Sequence, residues 1–278
     1  MHGYKRVRWV QAALLSMVLI LTWGAGAVCT RAAASAPEGE TGARDTPLRQ
    51  ESPASPLSKA AIVIDDFGNN MQGTQEMLDL PIPITVAVMP GLPSTVPDAE
   101  MAHAKGKEVI IHLPMEPVKG KKSWLGPGSI TTDLTDKEIR ARVEAAVDEI
   151  PYAIGMNNHM GSKATADPRV MRIVLKVCKE RNLFFLDSRT TGKSVIGELC
   201  AELGVKTANN GLFFDEVYTL EHIMKQVERF KKHMGKHEQG IAIGHVGPPG
   251  KKTAFALKKA ASEMSGKVEF VPVRELVK

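Results

Sequence analysis

From residue 59 onward the chain alternates short, continuously apolar runs with longer stretches whose apolar positions recur every three or four residues. The short runs include Ala61-Ile62-Val63-Ile64, Val109-Ile110-Ile111, Leu183-Phe184-Phe185-Leu186 and Ile241-Ala242-Ile243. A run that is apolar at every position suits a strand covered on both faces, as in a parallel sheet. Strands are predicted over 60–65, 84–89, 108–112, 153–157, 183–187, 204–207, 241–245 and 268–272. Helices are predicted over 70–79, 95–105, 135–149, 167–181, 194–203, 218–234 and 251–264. Repeated strand–helix alternation without an internal repeat argues for an α/β domain, either an open parallel sheet or a barrel.

The residues before this domain have another character. Lys5, Arg6 and Arg8 precede an apolar run from about Trp9 to Trp23, and small residues follow. That order is the pattern of a secretory signal. Extended to Val28, the run also reaches the roughly 20 residues that span a bilayer. Residues 1–30 are therefore expected to be a signal peptide or an N-terminal membrane anchor, and the rest of the chain to be exported. Val28 makes a lipoprotein site at Cys29 a poor fit. Residues 31–58 are rich in Ala, Ser, Pro, Gly, Glu and Thr with no apolar period, which reads as a disordered linker. The folded domain is placed at 59–278.

With 43% hydrophobic and 24% charged residues among 278, the chain can bury a large core. Its net charge of +5 is spread thinly, and the basic clusters at 225–237 and 251–259 are not interleaved with aromatics. They read as solvated helix faces and give nucleic-acid binding little support. His103, His222, His233 and His237 fall in charged helical contexts and are expected at the surface. Cys178 and Cys200 sit on apolar helix positions. Buried free thiols are expected, with a Cys178–Cys200 disulfide as the alternative in an exported protein.

Five apolar runs end on unusual polar residues. These are Asp65-Asp66, His112, Asn157-Asn158-His159, Asp187-Ser188-Arg189, and His245. In a parallel α/β fold all carboxyl ends of strands lie at one edge, where active sites form. Asp65, Asp66, His112, His159, Asp187 and His245 should therefore converge. Aspartate and histidine together suit Zn²⁺ or a similar divalent ion. No nucleophile elbow and no glycine-rich phosphate loop are present, so metal-assisted hydrolysis fits best. One aspartate then neutralises part of the cation's charge, and the other serves as base.

"IVIDDFG", "GKEVIIHLPMEP", "IGMNNHMGSKAT", "FFLDSRTT" and "IAIGHVGPP" together resemble the divergent polysaccharide deacetylase family, a branch of the NodB-like deacetylases. The resemblance covers about residues 59–276. It implies an irregular (β/α) barrel with the active site at the C-terminal ends of parallel strands. It also implies a divalent metal, zinc being the expected ion, and the removal of acetyl groups from an N-acetylated glycan such as peptidoglycan. By the same resemblance Asp65 is the base, Asp66 and His112 are ligands, and His245 is the catalytic acid. Glu116 stands where the family's second motif carries another histidine, and "NNHMG" replaces its Arg-Pro loop.

The third ligand is thus either His159 or Glu116. The choice leans to His159, since neutral imidazole is the commoner zinc ligand. Glu116 is otherwise a substrate contact or a partner of His112. Asn157 and Asn158 are expected to bind sugar hydroxyls, orient a carboxylate, or simply form a turn. Asp187, with Ser188 and Arg189, is expected to hold and polarise the catalytic histidine or to contact glycan, unless Arg189 pairs with Asp187. The leading expectation is an exported metal-dependent deacetylase, periplasmic or membrane-anchored and facing the envelope. The alternatives are a degenerate glycan-binding or envelope-assembly protein on the same fold, and a hydrolase of another ester or amide.

Overall fold

The computed structural model describes residues 57–278, so the expected signal or anchor and nearly all of the expected linker lie outside the described residues. Nine strands and seven α-helices follow in the order β1 (Ser58–Phe67), α1 (Thr74–Leu78), β2 (Thr85–Val88), α2 (Thr95–Ala104), β3 (Glu108–Met115), α3 (Asp136–Glu149), β4 (Ala153–Met160), α4 (Pro168–Glu180), β5 (Phe184–Asp187), α5 (Ile196–Leu203), β6 (Thr207–Asn209), β7 (Leu212–Phe213), α6 (Leu220–Met234), β8 (Gln239–His245), α7 (Gly250–Met264) and β9 (Val268–Phe270). Local chemistry fixes several helix starts. Thr135 and Glu138 form a capping box on α3. Asp167 caps α4 ahead of Pro168, and Thr219 caps α6. No helix among the described residues is long and apolar enough to cross a membrane.

The sheet runs β6-β5-β4-β3-β2-β1-β8-β7 with β9 beside β1, and every ladder is parallel. Its two end strands, β6 and β7, are consecutive in the chain, with only Asn210 and Gly211 between them. Two residues reach about 10 Å at most, so the sheet must curl until its ends nearly meet. The Asn210 N–H donates to the Asp187 carbonyl at 2.8 Å, and the Gly211 N–H donates to the Ile241 carbonyl at 3.0 Å. These two bonds stitch β5 to β8 across the seam. The result is an irregular α/β barrel.

Side chains alternate along each strand and separate two cores. Ala61, Val63, Ile110, Phe184, Leu186, Ile241 and Ile243 form one cluster, which Val271, Val273 and Leu276 complete from the C-terminal segment. That cluster fills the barrel. The larger one, with Ile62, Ile64, Ile111, Val174 and Leu257, lies between sheet and helices. Cys178 and Cys200 belong to this outer core as buried free thiols, and burial pushes the Cys200 thiol up to about 11.

The segment predicted at 268–272 is a strand, β9, beside the start of β1, Ser58–Ala60. The strand list lacks β7, whose two residues are too short to show a period.

Candidate metal centre

The barrel's inward face becomes polar at the carboxyl ends of its strands. On β1 the alternation that points Ala61 and Val63 inward continues to Asp65. Asp66 would by the same alternation face the helices. Its backbone instead adopts φ 71°, and the β1–β2 register breaks between Ile64 and Phe67. This irregularity re-aims one carboxylate so that two successive aspartates face the same mouth. A second irregularity shifts β4 relative to β3 between Val109 and Ile111. Gly155 lies in it, packed so closely on Phe184 that a Cβ would sit 2.4 Å from the ring. Beyond the shift, Asn157 pairs with His112 and His159 with Pro114. On β8 the alternation brings His245 beside Asp65.

Three ligand atoms converge. Asp66 Oδ1 lies 3.0 Å from His159 Nδ1 and 3.3 Å from His112 Nε2, and the two ring nitrogens are 3.1 Å apart. The outward ring nitrogens both meet acceptors. Asn157 Nδ2 donates to Asp65 Oδ1 at 2.9 Å, so its Oδ1 faces His112 Nδ1 at 2.7 Å and accepts that proton. The Trp124 carbonyl, 3.2 Å from His159 Nε2, likewise only accepts. In the neutral tautomers that place those protons outward, both imidazoles turn lone pairs toward Asp66 Oδ1, the arrangement a cation would bind. Three acceptors facing one another repel unless a cation lies among them. Asp66, His112 and His159 are thus a set able to hold a metal, and among the described residues they are the one such cluster.

The electrostatics point the same way. Burial alone would raise Asp66, but His112, His159 and His245 hold its carboxyl well below the usual range. Burial dominates at Asp65, which is only 1% exposed, and raises its pKa despite His112 and His245. Burial would lower His112, but Asp65 and Asp66 raise it. His245 is likewise raised to about 9 against its burial, by Asp215 first and then by Asp66 and Asp65. The pocket's field favours positive charge.

The other candidates are placed as follows. Glu116 is away from the cluster. It accepts from the Thr132 N–H and hydroxyl, both at 2.8 Å, and from Lys163 Nζ at 2.7 Å, and so ties the β3–α3 loop to the loop after β4. Asn158 holds the turns at the strand ends, donating to the Met160 carbonyl and accepting from the Ser188 N–H. Arg189 meets Asp187 through its backbone N–H at 2.7 Å, and its side chain is exposed. The Ser188 hydroxyl is buried without a hydrogen-bond partner.

The expectation that Asp187 holds the catalytic histidine is corrected, because the alternation on β5 turns Phe184 and Leu186 inward and Asp187 outward. Its carboxylate closes its own turn at Arg189. Asp215 holds His245 instead. Its Oδ1 lies 2.7 Å from His245 Nδ1, and its Oδ2 accepts from the His245 N–H at 2.9 Å and the Thr253 hydroxyl at 2.7 Å. Sequence reading missed Asp215 although the signal was present: Leu212-Phe213-Phe214 is also an apolar run ending on an aspartate. The Trp124 carbonyl is a backbone group and gives no sequence signal.

Comparison with known proteins gives the family and the fold. A profile of the family described as divergent polysaccharide deacetylase matches residues 62–277. An uncharacterised protein of Haemophilus influenzae is 38% identical over 191 residues, covering 69% of this chain and 68% of its own. The uncharacterised protein YibQ of Escherichia coli is 37% identical over 190 residues, covering 68% of this chain but only 59% of its own. Among solved structures, an uncharacterised protein from Agrobacterium tumefaciens shares the fold with a TM-score of 0.74 at 21% identity, over 81% of this chain and 91% of that one.

Proposed function

The chain belongs to the divergent polysaccharide deacetylase family, and from that premise we propose that it is an exported, metal-dependent hydrolase that removes acetyl groups from an N-acetylated envelope glycan. The observation that carries this reading is the convergence of three lone-pair donors, Asp66 Oδ1, His112 Nε2 and His159 Nδ1, within 3.0–3.3 Å of one another. That geometry favours His159 over Glu116 as third ligand. Two imidazoles and one carboxylate suit zinc. A divalent ion held by these three residues would supply Lewis acidity toward an acyl oxygen and a water.

The remaining steps belong to the chain's own groups. Asp65, made more basic by burial and fixed by Asn157, takes the proton of the water that adds to the acetyl carbon. His245, kept as imidazolium by Asp215, gives its proton to the sugar nitrogen as the C–N bond breaks. Acetate and the free amino sugar leave. Two adjacent carboxylates with pKa values pushed apart divide the work: the lowered Asp66 stays an anion for the metal, and the raised Asp65 is the better base. Peptidoglycan is the substrate this reading proposes first, with the N-terminal segment directing export or anchoring the domain at the membrane.

The test is acetate release from N-acetylated glycans by the zinc-loaded chain. Asp65→Asn should keep the metal and lose turnover by at least about a hundredfold. Wild-type turnover in that variant would remove Asp65 from the role of base. A loaded wild-type chain that binds such glycans without releasing acetate would overturn the hydrolase reading in favour of glycan binding.

A further inference from the structure

At the opposite end of the barrel from the metal centre, the last turns of α6 and the start of β8 line an open cavity of about 380 Å³. Its floor is Gly211, Leu212, Phe230 and Ile241. Its walls carry Arg229, Lys232, His233, Lys236 and His237, and no carboxylate side chain. Glu238, next along the chain, lines a neighbouring cavity that Lys236 and His237 also border. Lys231, on another side of α6, is paired with Glu228 and Glu263, whereas Lys232 and Lys236 have no ion-pair partner among the described residues. Sequence reading took these charges for a solvated helix face. The helix C-terminus does favour cations in its last turn, but Lys236 and His237 lie beyond it and face the same cavity.

The position of this cavity matters as much as its charge. The described chain enters the barrel here. The Ser58 hydroxyl donates to the Met234 carbonyl at 3.1 Å, and the Lys59 N–H donates to the Glu238 carbonyl at 2.8 Å. The residues that lead to this entry include Lys5, Arg6, Arg8 and the apolar run from Trp9 to Trp23. Basic side chains at a membrane surface are attracted to anionic lipid at about 1 kcal/mol each.

We propose that the cleft of Arg229, Lys232, His233, Lys236 and His237 docks on the phosphate headgroups of anionic phospholipid, setting the base of the barrel against the membrane and the metal centre away from it. The proposal uses the apolar N-terminal run but not the deacetylase reading, and neither depends on the other.

The test is hydrogen–deuterium exchange on the full chain in nanodiscs of phosphatidylcholine alone and of phosphatidylcholine with phosphatidylglycerol. Amides of 229–241 should exchange at least several-fold more slowly in the anionic discs only, and high salt should abolish the difference. Lys232→Gln with Lys236→Gln should weaken docking about 25-fold, at about fivefold per lysine. Both side chains are exposed, and unchanged exchange in β1 and β3 would show that the variant is folded. Equal exchange in both discs, protection that survives in the variant, or failure of the chain to associate with anionic discs would overturn the proposal. Equal protection by inorganic phosphate in neutral discs would assign the cleft to a soluble phosphate and overturn the lipid assignment.

Discussion

Asp65 and Asp66 are neighbours in the chain with opposite environments, and the difference rests on one backbone angle. The positive φ of Asp66 brings its carboxylate against two imidazoles, while Asp65, one residue earlier in β1, follows the strand's alternation into the barrel and is buried. Such backbone conformations cost free energy and persist where surrounding structure over-determines them. The same scale governs the acid. His245 has a folded pKa of about 9, above the ordinary 6.5. Its proton is therefore present at neutral pH and lost as pH rises through about 9. A general acid must carry its proton, so hydrolysis should fall on the alkaline side. Asp215→Asn removes the charge yet leaves an oxygen that can accept from Nδ1–H. The alkaline limb of the pH–rate profile should then move to lower pH. A cation at Asp66 draws the limb down in both proteins and leaves the displacement between them. An unmoved limb would mean that another group is the acid. The residues at strand ends were legible because apolar runs rarely stop on Asp or His without cause. Asp187 was misplaced because its facing depends on strand alternation relative to the barrel axis, which the apolar run Leu183-Phe184-Phe185-Leu186 does not reveal.

At the scale of elements, the site depends on irregularities more than on regular structure. The periodic segments were readable, and the strands and helices lie within a few residues of the predicted bounds, apart from α1, which is shortened to Thr74–Leu78. What could not be read were the breaks in register on β1 and β4 and the two-residue β7, because these carry no period. The polar ends of β3 and β4 also continue as strand past the apolar runs, through Met115 and Met160, since ladder bonds between them do not need apolar side chains. The loop that follows His245 is fixed by close backbone packing. The Gln72 carbonyl accepts the Gly247 N–H at 2.8 Å, and a Cβ on Gly250 would lie 2.3 Å from that same oxygen. Neither partner is a flexible side chain, so Gly250→Ala must displace the start of α7. A loss of about 1–3 kcal/mol in denaturant unfolding is expected, together with a slower rate as His245 shifts. A variant with the wild-type midpoint would show that the α1–α7 contact yields more easily than its geometry implies.

The whole molecule divides stability from chemistry along the barrel axis, as parallel barrels commonly do. The mouth holds the buried carboxylates and imidazoles. The base is closed by Val271, Val273 and Leu276, and the Lys278 backbone pairs with Thr207 on β6. Leu276→Ala opens a cavity in that base and should cost about 2–5 kcal/mol, with metal affinity at the mouth unchanged. Metal affinity falling in step with stability would show that the two ends are coupled. The α/β class was legible from the alternation of apolar runs, but closure was not, since it depends on a seam of two residues. The account stands on the cation at the mouth, so its most direct test is elemental analysis of the purified, zinc-loaded chain beside Asp66→Ala, His159→Ala and Glu116→Ala. About one equivalent of zinc in the wild type and in Glu116→Ala, and none in the other two, is the result predicted. A wild type that takes up no metal, or a site lost with Glu116→Ala and kept with His159→Ala, would contradict it.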